Sequence, residues 1–156
     1  MIQERMRREA GEPYARELES LSESDAIERL RSADESRVAE VYHFISRRVG
    51  PARLAGVCIE LMGRPGRRAR LTGAVGLGLC LKATHDIEAS RALAIMVRDS
   101  TEAIIVRRAA YGSLVLINCG PALPQREPRF EGEQPDPDLD GVDWGFVDSF
   151  IPGGNQ

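Results

Sequence analysis

Apolar residues recur at intervals of three and four along most of this chain, and the clearest run lies between residues 86 and 117. Ile87, Ala89, Leu93, Met96 and Val97 mark the stripe of one helix; Ile105, Val106, Ala110, Leu114 and Ile117 mark a second. That spacing gathers the apolar groups on one side of a helical period. Between the two, Asp99, Ser100 and Thr101 bring side-chain oxygens able to accept from the free amides of the second helix's first turn. A hairpin of this kind exposes an apolar face, and it needs a neighbour to cover it.

The same periodicity predicts shorter helices upstream. Pro13 stands near the first turn of one that carries Tyr14, Leu18 and Leu21. Ser22 and Ser24 offer a cap to the next, with Ala26, Ile27 and Leu30 on its stripe. Asp34 is placed to cap a third, over Val38, Val41, Tyr42 and Ile45, and Gly50 with Pro51 ends it. Leu54, Val57, Cys58 and Leu61 form a further stripe closed by Gly63, Pro65 and Gly66, and another helix is expected over residues 67–82. Residues 1–11 are charged and weakly patterned, as in a frayed helix or arm that caps the helical part.

After Gly120 the pattern breaks. Pro121, Pro124, Pro128, Pro135 and Pro137 interrupt any helix, while Glu127, Glu131, Glu133, Asp136, Asp138 and Asp140 make the stretch acidic. An extended, mobile linker is expected there. It runs into Trp144, Phe146, Val147, Phe150 and Ile151, which include the only tryptophan of the chain. Two parts follow: a helical part over residues 1–120, and an irregular acidic tail over 121–156 that ends in an aromatic docking motif.

The helices also echo one another. At a shift of about 36 positions, Gly73-Ala74-Val75-Gly76 falls over Ala109-Ala110-Tyr111-Gly112, and Leu81 over Ile117. Shifted back equally, Ala74, Leu77 and Leu81 fall over Val38, Val41 and Ile45. Two-helix units repeated at this period are the mark of an α-solenoid, which needs about three stacked units. Asp99, then Val106-Arg107 and Ala110 with Leu114, resembles the HEAT repeat of the armadillo-type solenoids, whose second helix carries a Val-Arg pair and small residues. The match is good over residues 86–117 and partial over 51–81, where Arg70-Leu71 replaces Val-Arg. The resemblance implies an all-α, right-handed stack of about three HEAT-like hairpins, and a binding surface rather than a catalyst.

Composition fits that picture. Apolar residues at 42% and charged ones at 29% belong to a soluble globular chain, and aromatics at 5% leave Leu, Val, Ile and Ala to build the core, which favours helix on helix. A formal charge of −3 argues against general nucleic-acid binding. Lys82 is the only lysine, and arginine in its place is compatible with a GC-rich, bacterial source. Cys58, Cys80 and Cys119 form no Cys-x-x-Cys pair; Cys58 and Cys80 lie in apolar helical runs and read as small buried hydrophobes. The first residues carry charges where a signal peptide needs an apolar run, and the longest apolar run, residues 71–81, has about half the length that crosses a bilayer. A cytoplasmic protein without a membrane span is expected.

Two features invite a functional reading. Arg47, Arg48, Arg53, Arg64, Arg67, Arg68 and Arg70 are opposed within their span by Glu60 alone, and on stacked hairpins they fall in turns and at helix ends. They suit an acidic protein, a phosphate or a nucleic-acid backbone, or serve as a solvated face paired with the acidic tail. The aromatic residues of the tail gain roughly 1.5–3 kcal/mol for each large side chain fully buried, so they must dock, on this chain or on a partner. Other motifs fall away. Gly73, Gly76 and Gly78 lack the order of a phosphate loop and read as places where helices approach closely. His43 and His85 are too few for most site chemistry, His85 suits a turn, and the His-Glu pairs of iron-binding HEAT-like enzymes are missing. No cofactor and no metal is expected, and no enzyme.

The leading expectation is a protein-binding adaptor or regulator that uses a helical groove and the arginine-rich edge. A bacterial immunity or antitoxin-like protein is the first alternative, since small acidic proteins suit a basic toxin. A HEAT-like nucleic-acid-binding protein is the second, and it requires steeply salt-dependent binding.

Overall fold

The computed structural model describes residues 2, 4, 5, 8, 11–33, 36–119, 139 and 141–153. Every regular element among them is a helix. Two compact units divide the chain, Met1–Gly76 and Leu77–Gln156.

The first unit contains α1 (Glu12–Ser20), α2 (Glu23–Ser32), α3 (Val38–Ile45), α4 (Pro51–Met62) and most of α5 (Arg67–Cys80). Pro13 stands in the first turn of α1, where its missing amide costs nothing. Ser22 caps α2 by accepting from the Asp25 amide at 3.1 Å; Glu23 and Asp25 follow in its first turn, and Arg29 and Arg31 stand in its last, the charge order that a helix dipole favours. α1 and α2 pack on α3, and α2 also on α4. Leu18, Leu30, Val38, Val41, Ile45, Leu54 and Leu61 are fully buried between them. α5 reaches this core through glycines: a β-carbon on Gly73 would lie 2.5 Å from the Cys58 carbonyl oxygen, and one on Gly76 2.6 Å from Cys58 Sγ. At Gly73 backbone thus packs on backbone, and at Gly76 backbone packs on a side chain, approaches that only glycine permits.

In the second unit α6 (Ile87–Arg98) packs along α7 (Ile104–Cys119), and a short α8 (Trp144–Asp148) packs on α6. Leu93, Val97, Val106, Ala110, Leu114 and Ile117 close the hairpin with no exposed surface. Asp86 caps α6, its Oδ1 accepting from the Ala89 amide at 2.8 Å. The turn before it holds Ala83 and His85 in the left-handed region, with φ of 59° and 57°. That shape lets their amides donate to the Leu116 and Ile117 carbonyls at 2.9 and 3.0 Å, so the turn satisfies the end of α7.

Some expectations shift in detail. Ile87 is 69% exposed because it is the first residue of α6 and its side chain points back beyond the hairpin. Ile105 is 45% exposed, one step off the buried line of Val106, Ala110 and Leu114. Asp99 does not cap α7: its Oδ1 accepts from the Thr101 amide at 2.9 Å and hydroxyl at 2.6 Å, closing a turn two residues before the helix begins. α5 stops at Cys80, and Leu81 and Lys82 fall in the turn that follows. The cap expected of Asp34, most of residues 1–11 and nearly all of the linker lie outside the described residues.

Candidate functional site

Helix ends decide what the arginine cluster does. The last carbonyls of a helix have no intrahelical donor, and a guanidinium can supply several at once. Arg48 donates to the Leu18 carbonyl at 2.6 Å and also to that of Leu21, holding the end of α1. Arg68 donates to the Ser32 carbonyl at 2.9 Å, and the Thr72 hydroxyl to that of Ala33 at 2.8 Å, holding the end of α2. Arg70 donates to the Arg64 carbonyl at 3.2 Å and to that of Pro65, closing the turn into α5. Arg53 pairs with Glu23 across two helices, and Arg64, two residues past the end of α4, with Glu60 at 2.7 Å. Glu60 also receives Arg31 at 3.1 Å, and these two guanidinium groups hold its carboxyl below the usual range. Of the seven arginines, five are therefore engaged within the first unit. Arg47 and Arg67 are exposed.

His43 lies half-buried on α3, and its Nε2 has no hydrogen-bond partner among the described residues. Burial pushes its pKa down, the nearby Arg47 pushes the same way, and Glu19 opposes them. The unfolded chain therefore takes up a proton near the ordinary value of 6.5 that the folded chain refuses. Stability is full above that pH and declines as the pH falls through it. Urea midpoints of wild type and His43→Gln, compared at about pH 7.5 and pH 5.5, are expected to diverge, with wild type losing more on acidification. Parallel loss in both would refute it.

The aromatic tail gives the most developed geometry. Asp143 caps α8 by accepting from the Phe146 amide at 3.0 Å. Val147 is completely buried, and Trp144, Phe146, Phe150 and Ile151 are half-buried. Arg98, at the end of α6, does two things at once. Its fork holds Asp148, with Nε 2.7 Å from Oδ1 and the second nitrogen on Oδ2, and its guanidinium carbon lies 4.3 Å from the centre of the Trp144 ring. A lysine could face the ring but could not supply the two-point fork at the same time. From α7, the Tyr111 hydroxyl accepts from the Asp143 amide at 3.2 Å, and its ring meets Phe146 edge-on at 6.4 Å. Phe146 meets Phe150 edge-on at 5.2 Å.

Nothing in the sequence marks Arg98, Tyr111 and Asp148 for this role. Asp143 and Asp148 flank the aromatic run and Arg98 is the last residue of an amphipathic helix, but no spacing rule joins positions 98 and 148. The outer stripes of the hairpin supply the other feature. Ile87, Ile95, Ile104 and Ile105 are 69, 52, 36 and 45% exposed. Ile87, Arg91 and Ile95 repeat at intervals of four, and so share one face of α6.

Among the described residues no helix is long and apolar enough to cross a membrane, and no three His, Cys, Asp or Glu side chains cluster to hold a metal. Compared with protein families, characterised proteins and solved structures, the chain matches none.

Proposed function

We propose that the protein is a non-enzymatic adaptor or regulator of helical-repeat type that binds another protein. The observation that carries this is the concentration of exposed isoleucines on the α6–α7 hairpin. Single exposed apolar residues are ordinary, whereas this hairpin exposes four isoleucines, and two of them, Ile87 and Ile95, share a face of α6 with Arg91, the mixture of apolar and arginine side chains that protein interfaces favour. The proposal includes the finer architecture, a right-handed stack of HEAT-like hairpins. Support for it is local: in the hairpin that most resembles a HEAT repeat, Arg107 of the Val-Arg pair is buried and donates to the Val97 carbonyl at 2.8 Å. A nucleic-acid reading gains little, because five arginines of the cluster already serve carbonyls and carboxylates, and the net charge is −3.

The test compares wild type with the double substitution Ile95→Asp/Ile105→Asp, both exposed and thus expected to change stability by only about 0.5 kcal/mol. Proteins cross-linked to wild type in cells that make it, identified by mass spectrometry, are expected to disappear with the variant. A partner set identical for both proteins would remove the isoleucine surface from the interface, and the capture of no partner by wild type would defeat the reading. Arg67→Glu asks the same of the arginine edge and spares the internal bond of Arg68.

A further inference from the structure

We propose that the surface of α6 and α7 beneath α8 is a recognition site for a short acidic and aromatic helical turn carried by a partner protein, and that residues 143–151 occupy it in cis. This rests on the protein-binding reading and names the chemistry of what is bound. α8 has five residues, far below the length at which a helix persists alone. Its conformation is therefore imposed by what it lies on. Its burial is that of a seated peptide: Val147 is fully buried, Leu139 and Val142 just ahead of it are buried too, and the aromatics of the turn are half-buried. Its two ends are fixed by polar groups, the amide of Asp143 on Tyr111 and the carboxylate of Asp148 on Arg98. A helical turn laid on a helical hairpin is a familiar mode of peptide capture.

The occupant specifies its competitor. A partner segment must bring an aromatic ring to lie under Arg98, a carboxylate for the guanidinium fork, and a branched aliphatic residue for the space of Val147. The cis segment is tethered through a proline-rich sequence, which gives it an effective concentration on the order of millimolar. A free peptide of equal affinity competes poorly with that. A true partner therefore needs a second foothold, and the isoleucines of the same hairpin provide one.

Trp144 is the sole tryptophan, so its fluorescence reports on this segment alone. The experiment uses the full chain with a protease recognition sequence placed between residues 124 and 135, cut so that both pieces remain in solution. Dilution of the cut protein is expected to shift Trp144 emission to the red while helical circular dichroism is kept. A synthetic peptide of residues 137–153 bearing Trp144→Phe, long enough to include Leu139, should displace the native segment reversibly, and Arg98→Ala should weaken rebinding by about tenfold or more. Pieces that never separate, or that separate only as the helices melt, would make α8 part of the core and overturn the site, while leaving partner capture by the isoleucine face intact. A concentration-dependent dimer of the uncut chain would assign the site to a second copy instead, and would equally overturn it. Reversible exchange together with an unchanged partner set for Ile95→Asp/Ile105→Asp would sink the isoleucine surface and keep the peptide site.

Discussion

Gly73→Ala lowers stability by about 1–3 kcal/mol, although the same change in an open helix raises it. The two effects oppose each other, and their sizes decide the sign. Alanine gains roughly 1 kcal/mol over glycine from helix propensity. At Gly73 the added carbon would sit 2.5 Å from the Cys58 carbonyl oxygen and 2.8 Å from the Met62 amide nitrogen. Both neighbours are backbone of α4, so relief requires the two helices to separate. At Gly56, also inside a helix, nothing lies within 4 Å of the new carbon. Gly56→Ala is therefore expected to stabilise by about 0.5–1 kcal/mol. Urea unfolding of the two variants should move the midpoint in opposite directions. Gly76 offers an internal control, because its clash is with the Cys58 sulfur and not with backbone. Cys58→Ala should rescue Gly76→Ala and fail to rescue Gly73→Ala, a coupling that a double-mutant cycle reads directly. Midpoints moving the same way for Gly73→Ala and Gly56→Ala would contradict the close approach of α4 and α5.

Removal of the Arg107 guanidinium is the other large effect. The carbonyls of the last turn of α6 have few donors: the Asp99 amide serves Ile95 and Met96, at 3.0 and 3.3 Å. The Val97 carbonyl receives Arg107 Nε at 2.8 Å, from a side chain only 6% exposed. Arg107→Met keeps most of the stem and withdraws this donor, and an orphaned buried acceptor costs about 1–3 kcal/mol. Arg107→Ala removes the packing as well and should cost more, on the order of 3 kcal/mol. The residue after Val97 is Arg98, which holds α8, so loosening the end of α6 should also release Trp144. A drop in the unfolding midpoint accompanied by red-shifted tryptophan emission is the expected signature. Loss of stability with unchanged emission would show that the end of α6 and the seat of α8 are independent.

If the hairpin binds a partner as proposed, both results bear on that binding. The exposed isoleucines and the seat of α8 share α6 and α7, so a substitution such as Arg107→Met that softens the hairpin is expected to reduce partner capture too. Arg48 and Arg68 illustrate a different lesson. A cluster of like charges in the sequence reads as a surface waiting for a ligand, yet these two side chains are consumed by the carbonyls at the ends of α1 and α2.

What the order of residues determined was the helices themselves. Stripes at intervals of three and four, with Pro13 and Ser22 at helix starts, are local signals, readable because each acts within about one turn of its own position. The need of the aromatic tail to dock was also legible, since the cost of wet aromatic surface does not depend on where it is buried. Where it docks was decided only in three dimensions. Arg98 and Asp148 are 50 residues apart, and no periodicity links them. Which arginines serve carbonyls, and which isoleucines stay outside, likewise depends on how one helix lies against another. Hydrophobic pattern fixes the face that a helix buries, while only tertiary packing sets the partner that each polar end meets, because that choice is made by distances between segments remote in sequence.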